Sequence, residues 1–440
     1  MKDCAPLIGF CLMGFWLLVG CAGPPQLTAE QLQDPQECAP CHARAVAEWE
    51  GSMHAYASTD PVFRALLAKG QRETDGALGQ LCITCHAPMV QRLDLSPDGL
   101  DLADLPDTVQ GVGCAFCHLA DDVLGLHNNQ ITLADDGVMR GAWDDPVPTS
   151  AHASAYSPFL DRNAPESSDL CGSCHDVVLP NGLHLEQTYL EWSESIFATS
   201  ETAGLSCGQC HMRGRPGYGA DVDEADARRL HDHSMPGVDI ALDPFPRRAQ
   251  QLELVQNELD HSLLAVLQPY LAPGGLAVDV TLENVAAGHG FPSGAAHNRR
   301  VWVELEAFVG RHRVYASGSV PAGEPVLGRD DEDLWVLRDR IYGADGQEVQ
   351  HAWEAVTLEK DQLRPGMTAD PTNPEYVHSQ TRTYLIEGVV PDRVRMAVHI
   401  RPFGEDILQT LVDSGDLDPA HRAMNPTFTL ESTVKEWTSD

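Results

Sequence analysis

Apolar positions change their period near residue 275, and that change divides the chain. Before it the legible runs have helical spacing: Val46, Trp49, Met53 and Tyr56 across 42–56, and Tyr189, Trp192 and Ile196 across 185–197. Residues 250–271, with Leu252, Leu254, Val255, Leu259, Leu263, Leu264 and Val266, predict one more helix. Beyond Gly275 the period is two. Leu276, Val278, Val280 and Leu282 alternate with Ala277, Asp279, Thr281 and Glu283. Val301, Val303, Leu305, Ala307 and Val309 repeat the pattern, as do Val394, Met396, Val398 and Ile400. Such alternation marks half-buried strands of antiparallel sheet. Weaker runs near 313–317, 352–358, 380–386 and 427–434 bring the total to about seven strands, enough for a β-sandwich. The expected fold class is α+β multidomain: a mainly helix-and-loop part over 37–248, a connecting helix over 249–273 and an antiparallel β-sandwich over 274–440.

The N-terminus adds a processing signal. After Lys2, residues 7–19 are apolar, too short to span a bilayer and suited to an export signal. Leu18-Val19-Gly20-Cys21 resembles the processing site of bacterial lipoproteins. That implies a signal over 1–20, cleavage before Cys21 and lipid on the Cys21 thiol; an ordinary secretory signal is the alternative. Residues 21–36 read as a flexible tether. The expected location is outside the cytoplasm, on the periplasmic or outer-surface side of the envelope, with the membrane reached only through lipid.

Cysteine spacing supplies the chemistry. Cys-x-x-Cys-His occurs five times: Cys38 and Cys41 with His42, Cys82 and Cys85 with His86, Cys114 and Cys117 with His118, Cys171 and Cys174 with His175, and Cys207 and Cys210 with His211. In each, two thiols can bond a porphyrin edge while the adjacent imidazole takes the iron, the arrangement that attaches c-type haem. Structural zinc also uses Cys-x-x-Cys but does not require His after every second cysteine. Ten of the 13 cysteines are thus used, and Cys4, Cys11 and Cys21 all fall in the first 21 residues. Five covalent haems c are expected, and with aromatic content at 6% the porphyrins must supply much of the core.

Charge narrows the partners. Asp and Glu number 65 against 29 Lys and Arg, for a formal charge of −36. Nucleic-acid binding needs a basic footprint and is excluded. A field of this sign steers basic partners, so redox partner proteins are expected, basic proteins or other cytochromes; solubility alone is the bland alternative. The acidic run Asp330-Asp331-Glu332-Asp333 could hold Ca²⁺ or stand as solvated surface.

The sixth iron ligands decide between carrier and catalyst, because an iron with two protein ligands has no open position. Of 19 histidines, five are in the motifs, which leaves fourteen. His54 lies twelve residues after His42, roughly 18 Å along a helix, so it would serve a different iron. His152, between small residues, is a second candidate. His231 and His233 are two apart, and in extended chain they face the same side. His289, between Gly288 and Gly290, would fasten the strand-rich part to the haems. His297 is a weaker candidate, His184 and His127 are spares, and His399 should face solvent. Met53, Met212 and Met235 are minor alternatives. The surplus of histidine favours low-potential, mostly bis-histidine iron.

Residues 37–240 resemble the multihaem c-type cytochromes related to the tetrahaem cytochrome of ammonia oxidisers, the cytochrome c552/c554-like group. Carrying the resemblance are Trp49 with Ser52-Met53-His54, Gly111-Val112-Gly113 before Cys114, and Cys171-Gly172-Ser173-Cys174-His175. Residues 186–192, Cys207 to Met212 and His231 to Gly237 continue it. Asn284 to Gly294 looks like the β-sandwich appended to some multihaem cytochromes. The resemblance implies electron transfer between haems outside the cytoplasm, with His54, His152 and His231 or His233 as distal ligands. The chain departs from the pentahaem nitrite reductases in lacking Cys-x-x-Cys-Lys, and from the hydroxylamine oxidisers in having fewer haems. An electron carrier is the leading expectation. A redox enzyme with one open haem, acting on a small nitrogen or sulfur compound, is the alternative, and a docking role for the β-sandwich is the third.

Overall fold

The computed structural model describes residues 27–147, 149–222 and 225–439. The signal, Cys21 and the first part of the tether lie outside them. Residues 29–36 of the expected tether are not loose chain. Thr28 and Gln31 form a reciprocal capping box that starts a helix over Ala29–Gln33, and Leu32 is buried. Asp34 then caps helix α1, Pro35–Glu50, which carries Pro35 in its first turn and a non-helical backbone at His42. The helical spacing across 42–56 is not one helix. It breaks at Gly51, and Ser52 caps a separate turn over Met53–Tyr56 by accepting from the Ala55 N–H. Helix α2, Pro61–Glu73, follows, with Val62, Phe63, Ala65 and Leu67 buried.

Residues 185–197 also divide. His184–Gln187 is a short strand, and helix begins only at Thr188, over Thr188–Ser193 and Ile196–Thr199. Helix α3, Arg248–Ser262, ends well before the expected limit at 273, because the chain straightens into strand β1, Leu263–Ala272. Leu263 and Ala265 turn inward while Leu264 and Val266 face solvent, a period of two. Pro273-Gly274 then folds β1 onto β2, Gly275–Asn284, and Gly274 takes the left-handed φ of +93° that the turn requires.

The strand-rich part comprises β1 and β2 with β3 (Arg300–Val309), β4 (His312–Ser317), β5 (Trp335–Leu337), β6 (Gln380–Glu387), β7 (Arg393–Arg401) and β8 (Phe428–Thr438). One antiparallel sheet has the order β6-β2-β1. The second has the order β4-β3-β7-β8, with β5 also on β3. The weak run at 352–358 is a 3₁₀ turn over Ala352–Glu354 followed by Thr357–Glu359, which joins a small separate sheet.

Side chains from both large sheets share one apolar core, and that core also takes Val62 and Ala65 of α2, Ile240, Leu242, and Val255 and Leu259 of α3. This cluster joins the helix-and-loop part to the sheets, while a second, with Phe63, Leu67, Ile83, Val90, Leu102 and Phe116, lies wholly within the helix-and-loop part. No described helix is long and apolar enough to cross a membrane.

Candidate cofactor-binding sites

Four of the five Cys-x-x-Cys-His sequences lie wholly on helix, and in the second Cys82 is the residue just before it. The first is inside α1; the others end the helices Ile83–His86, Cys114–His118, Glu166–His175 and Cys207–His211. Helical spacing puts residues three and four apart on one face, which lets the two thiols and the imidazole converge on one planar group. None of the ten motif cysteines is in a disulfide. Thiols of different motifs approach each other instead: Cys38 meets Cys114, Cys85 meets Cys174, and Cys171 meets Cys207. The first motif thus adjoins the third, and the fourth adjoins the second and the fifth.

Four motif histidines each face a second imidazole. His42 and His152 have ring centres 6.3 Å apart, His118 and His233 6.5 Å, and His211 and His289 6.3 Å, with planes within 25° in all three. His54 and His175 are 6.2 Å apart and cross at 79°. These are not stacking contacts. Phe63 and His86, which do stack, lie at 4.2 Å. A metal about 2 Å from each coordinating nitrogen, with each ring centre about 1 Å further on, needs a spacing of roughly 6 Å. The four pairs fit an iron between them.

The outer edges of the rings are fixed by the chain. Nδ1 of His42 bonds the Gly219 carbonyl at 2.8 Å, His86 that of Ala57 at 3.1 Å, and His118 that of Arg140 at 2.6 Å. His211 bonds the Pro236 carbonyl at 2.7 Å and His289 that of Gly290 at 2.8 Å. A carbonyl can only accept, so Nδ1 carries the proton and Nε2 keeps its lone pair for a metal. Burial lowers His54 and His118 to about 4, which keeps both as neutral imidazole, the ligating form. His54 Nδ1 lies 3.0 Å from the Met235 sulfur.

His233 differs. Its Nδ1 has no hydrogen-bond partner, and a Glu48 carboxylate oxygen lies 3.9 Å away. Glu48 is only 3% exposed and is held by Arg44 Nε at 2.7 Å, Arg215 at 2.5 Å and the His233 backbone N–H at 3.1 Å. Burial opposes its charge, but the nearby His233 ring, the His233 backbone N–H and the Arg44 guanidinium outweigh that and keep the carboxyl below its usual range.

The structure separates the remaining candidates. His231 faces no motif histidine, and His233 takes the place opposite His118. Burial, then Arg162, lowers His231 to about 4. No imidazole among the described residues stands opposite His86. His297 is buried beside Arg300 and Arg338 in a cavity of about 290 Å³ in the strand-rich part. His184 bonds Asp176 at 3.0 Å, and His127 lies beside Gln130. His399 is not solvent-facing; it bonds Thr429 and Glu304 and packs on Trp302. The Asp330–Asp333 run does not gather for Ca²⁺. Asp331 accepts from the Gly318 N–H, Asp333 from the Tyr315 hydroxyl, and no metal-ligating cluster occurs among the described residues. Glu48 and Phe63 carry no sequence signal, because their partners lie in distant segments.

Residues 37–119 match the family model described as cytochrome c554 and c-prime. No curated protein sequence matches the chain. Among solved structures, a penta-heme cytochrome c552 from Thermochromatium tepidum superposes with a TM-score of 0.66 at 19% identity, over 93% of this chain and 100% of that one. The chain is thus similar to the multihaem c-type cytochromes, in family signature over residues 37–119 and in fold over nearly its whole length, and the signature supports c-type haem and electron transfer as its chemistry.

Proposed function

We propose that the protein is a pentahaem electron-transfer cytochrome of the cell envelope. Cys38, Cys41, Cys82, Cys85, Cys114, Cys117, Cys171, Cys174, Cys207 and Cys210 would hold five haems c, with His42, His86, His118, His175 and His211 on their irons. Bound there, c-type haem supplies a one-electron couple. The observation that carries the reading is the set of four imidazole pairs 6.2–6.5 Å apart. His152, His54, His233 and His289 are the second ligands, and an iron so capped exchanges electrons without binding substrate. The meeting of thiols from neighbouring motifs supports electron exchange within the array. His289, on the loop between β2 and β3, gives the strand-rich part a direct share in the haem sites. The charge of −36 suits a basic redox partner, and the Cys21 sequence suits a lipid anchor. Mass spectrometry of the exported, processed chain should find five added haems; fewer would refute the reading.

The environment of His86 favours a second reading, a redox enzyme. With no imidazole opposite it among the described residues, an iron on His86 would have a face for a small nitrogen or sulfur compound. Low-temperature EPR should then show four low-spin irons and one of different coordination, and the native protein should bind carbon monoxide at a single site. Five low-spin signals with no carbon monoxide uptake would leave the carrier reading alone.

A further inference from the structure

Among the paired imidazoles, His233 alone has a carboxylate within 4 Å of its outer edge. His42, His118, His211 and His289 each give Nδ1–H to a backbone carbonyl, a neutral acceptor. At His233 a carboxylate oxygen of Glu48 lies 3.9 Å from Nδ1, buried and gripped by two arginines and the His233 backbone. The grip fixes where the charge sits, and burial keeps water from screening it. A negative charge beside the free N–H of a ligating imidazole makes the ring more basic and favours the oxidised metal. Glu48 also spans elements: it stands on α1, three residues before the break at Gly51 and six after His42, and reaches a segment near residue 233.

We infer that Glu48 is a positioning residue for the iron of the third motif, holding the potential of the His118–His233 site below what the same two histidines would give with carbonyl partners. The inference rests on the reading that His118 and His233 share an iron. Its direction does not depend on the other sites, whose outer-edge partners are unchanged by substitution at Glu48.

The test is a spectroelectrochemical titration of the full holo-protein, with EPR on the same samples. Glu48→Gln keeps the size of the side chain and an acceptor for the His233 N–H but removes the charge. One of the five midpoint potentials should rise while the low-spin signals persist, and Glu48→Asp, which keeps the charge, should stay closer to the parent. Unchanged potentials in Glu48→Gln would overturn the inference and leave the ligand reading standing. Loss of a low-spin signal in Glu48→Gln would also overturn it, by showing that the carboxylate only holds the segment in place. His233→Ala separates the two failures: an unchanged low-spin count there would overturn the ligand reading itself.

Discussion

Substituting Gly111 by Ala should damage one iron site through the backbone alone. Gly111 has φ +62°, and a Cβ built on it would lie 2.6 Å from the His54 carbonyl oxygen and 2.7 Å from that of Ala55. The contact is close because the two segments are bonded: the Val112 N–H donates to the His54 carbonyl at 2.8 Å, the Gly111 N–H to Ser58 Oγ at 2.8 Å, and Trp49 Nε1 to the Val112 carbonyl at 2.8 Å. A left-handed φ costs a residue with Cβ about 1–2 kcal/mol. Relieving the overlap moves the His54 carbonyl and sacrifices the Val112 hydrogen bond, about 1 kcal/mol more. The sum is roughly 2–3 kcal/mol, about a hundredfold in the unfolding equilibrium. Urea unfolding of the holo-protein measures it. EPR supplies a local readout, since the His54–His175 rings cross at 79° while the other pairs lie within 25°, and crossed ligand planes give a low-spin signal distinct from parallel ones. Gly113, with no atom within 4 Å of a built Cβ, is the control, and Gly113→Ala should be silent. Gly111→Ala within about 0.5 kcal/mol of the parent, with the crossed-plane signal intact, would refute the reasoning.

His289→Ala should remove one low-spin signal and add one carbon monoxide site relative to the parent, whereas His231→Ala should leave both counts as they are. Leu282→Ala, in the buried core shared by sheets and helices, should cost about 2–5 kcal/mol in thermal or urea unfolding, with sheet circular dichroism and haem absorbance lost together. Burial raises Asp339 from 3.8 to about 7, against the opposing Asp361 N–H. The folded state therefore keeps a proton that the unfolded chain releases, and this group's contribution to stability falls as pH rises from about 4 to about 7, then levels off. Asp339→Asn should flatten that slope in unfolding measured across the range; an unaltered slope would count against the assignment.

What the sequence made legible was local. The five motifs are contiguous, and strands with strict alternation, such as β2, β3 and β7, stand where the period of two put them. What escaped depends on distant partners. Leu259, Leu263, Leu264 and Val266 suit a helix or a strand, and pairing with β2 turns 263–272 into β1. His231 and His233 are equivalent as spacing, and only the fold brings His233 to His118. His86 has a motif like the other four, so its lack of a facing imidazole could not be read from the chain. Glu48 read as one more acidic residue in a helix, since its burial comes from Arg215 and His233, far along the sequence.

The placement of Val62 and Ala65 in the same core as the sheets bears on how the molecule is made. Strands completing that core come from the C-terminal third of the polypeptide, so the face of α2 that bears Val62 and Ala65 stays uncovered until synthesis is nearly finished. A fragment ending near residue 248 would keep every attachment sequence and lose the surface that encloses α2, so expression of that piece alone should yield aggregate rather than a small cytochrome.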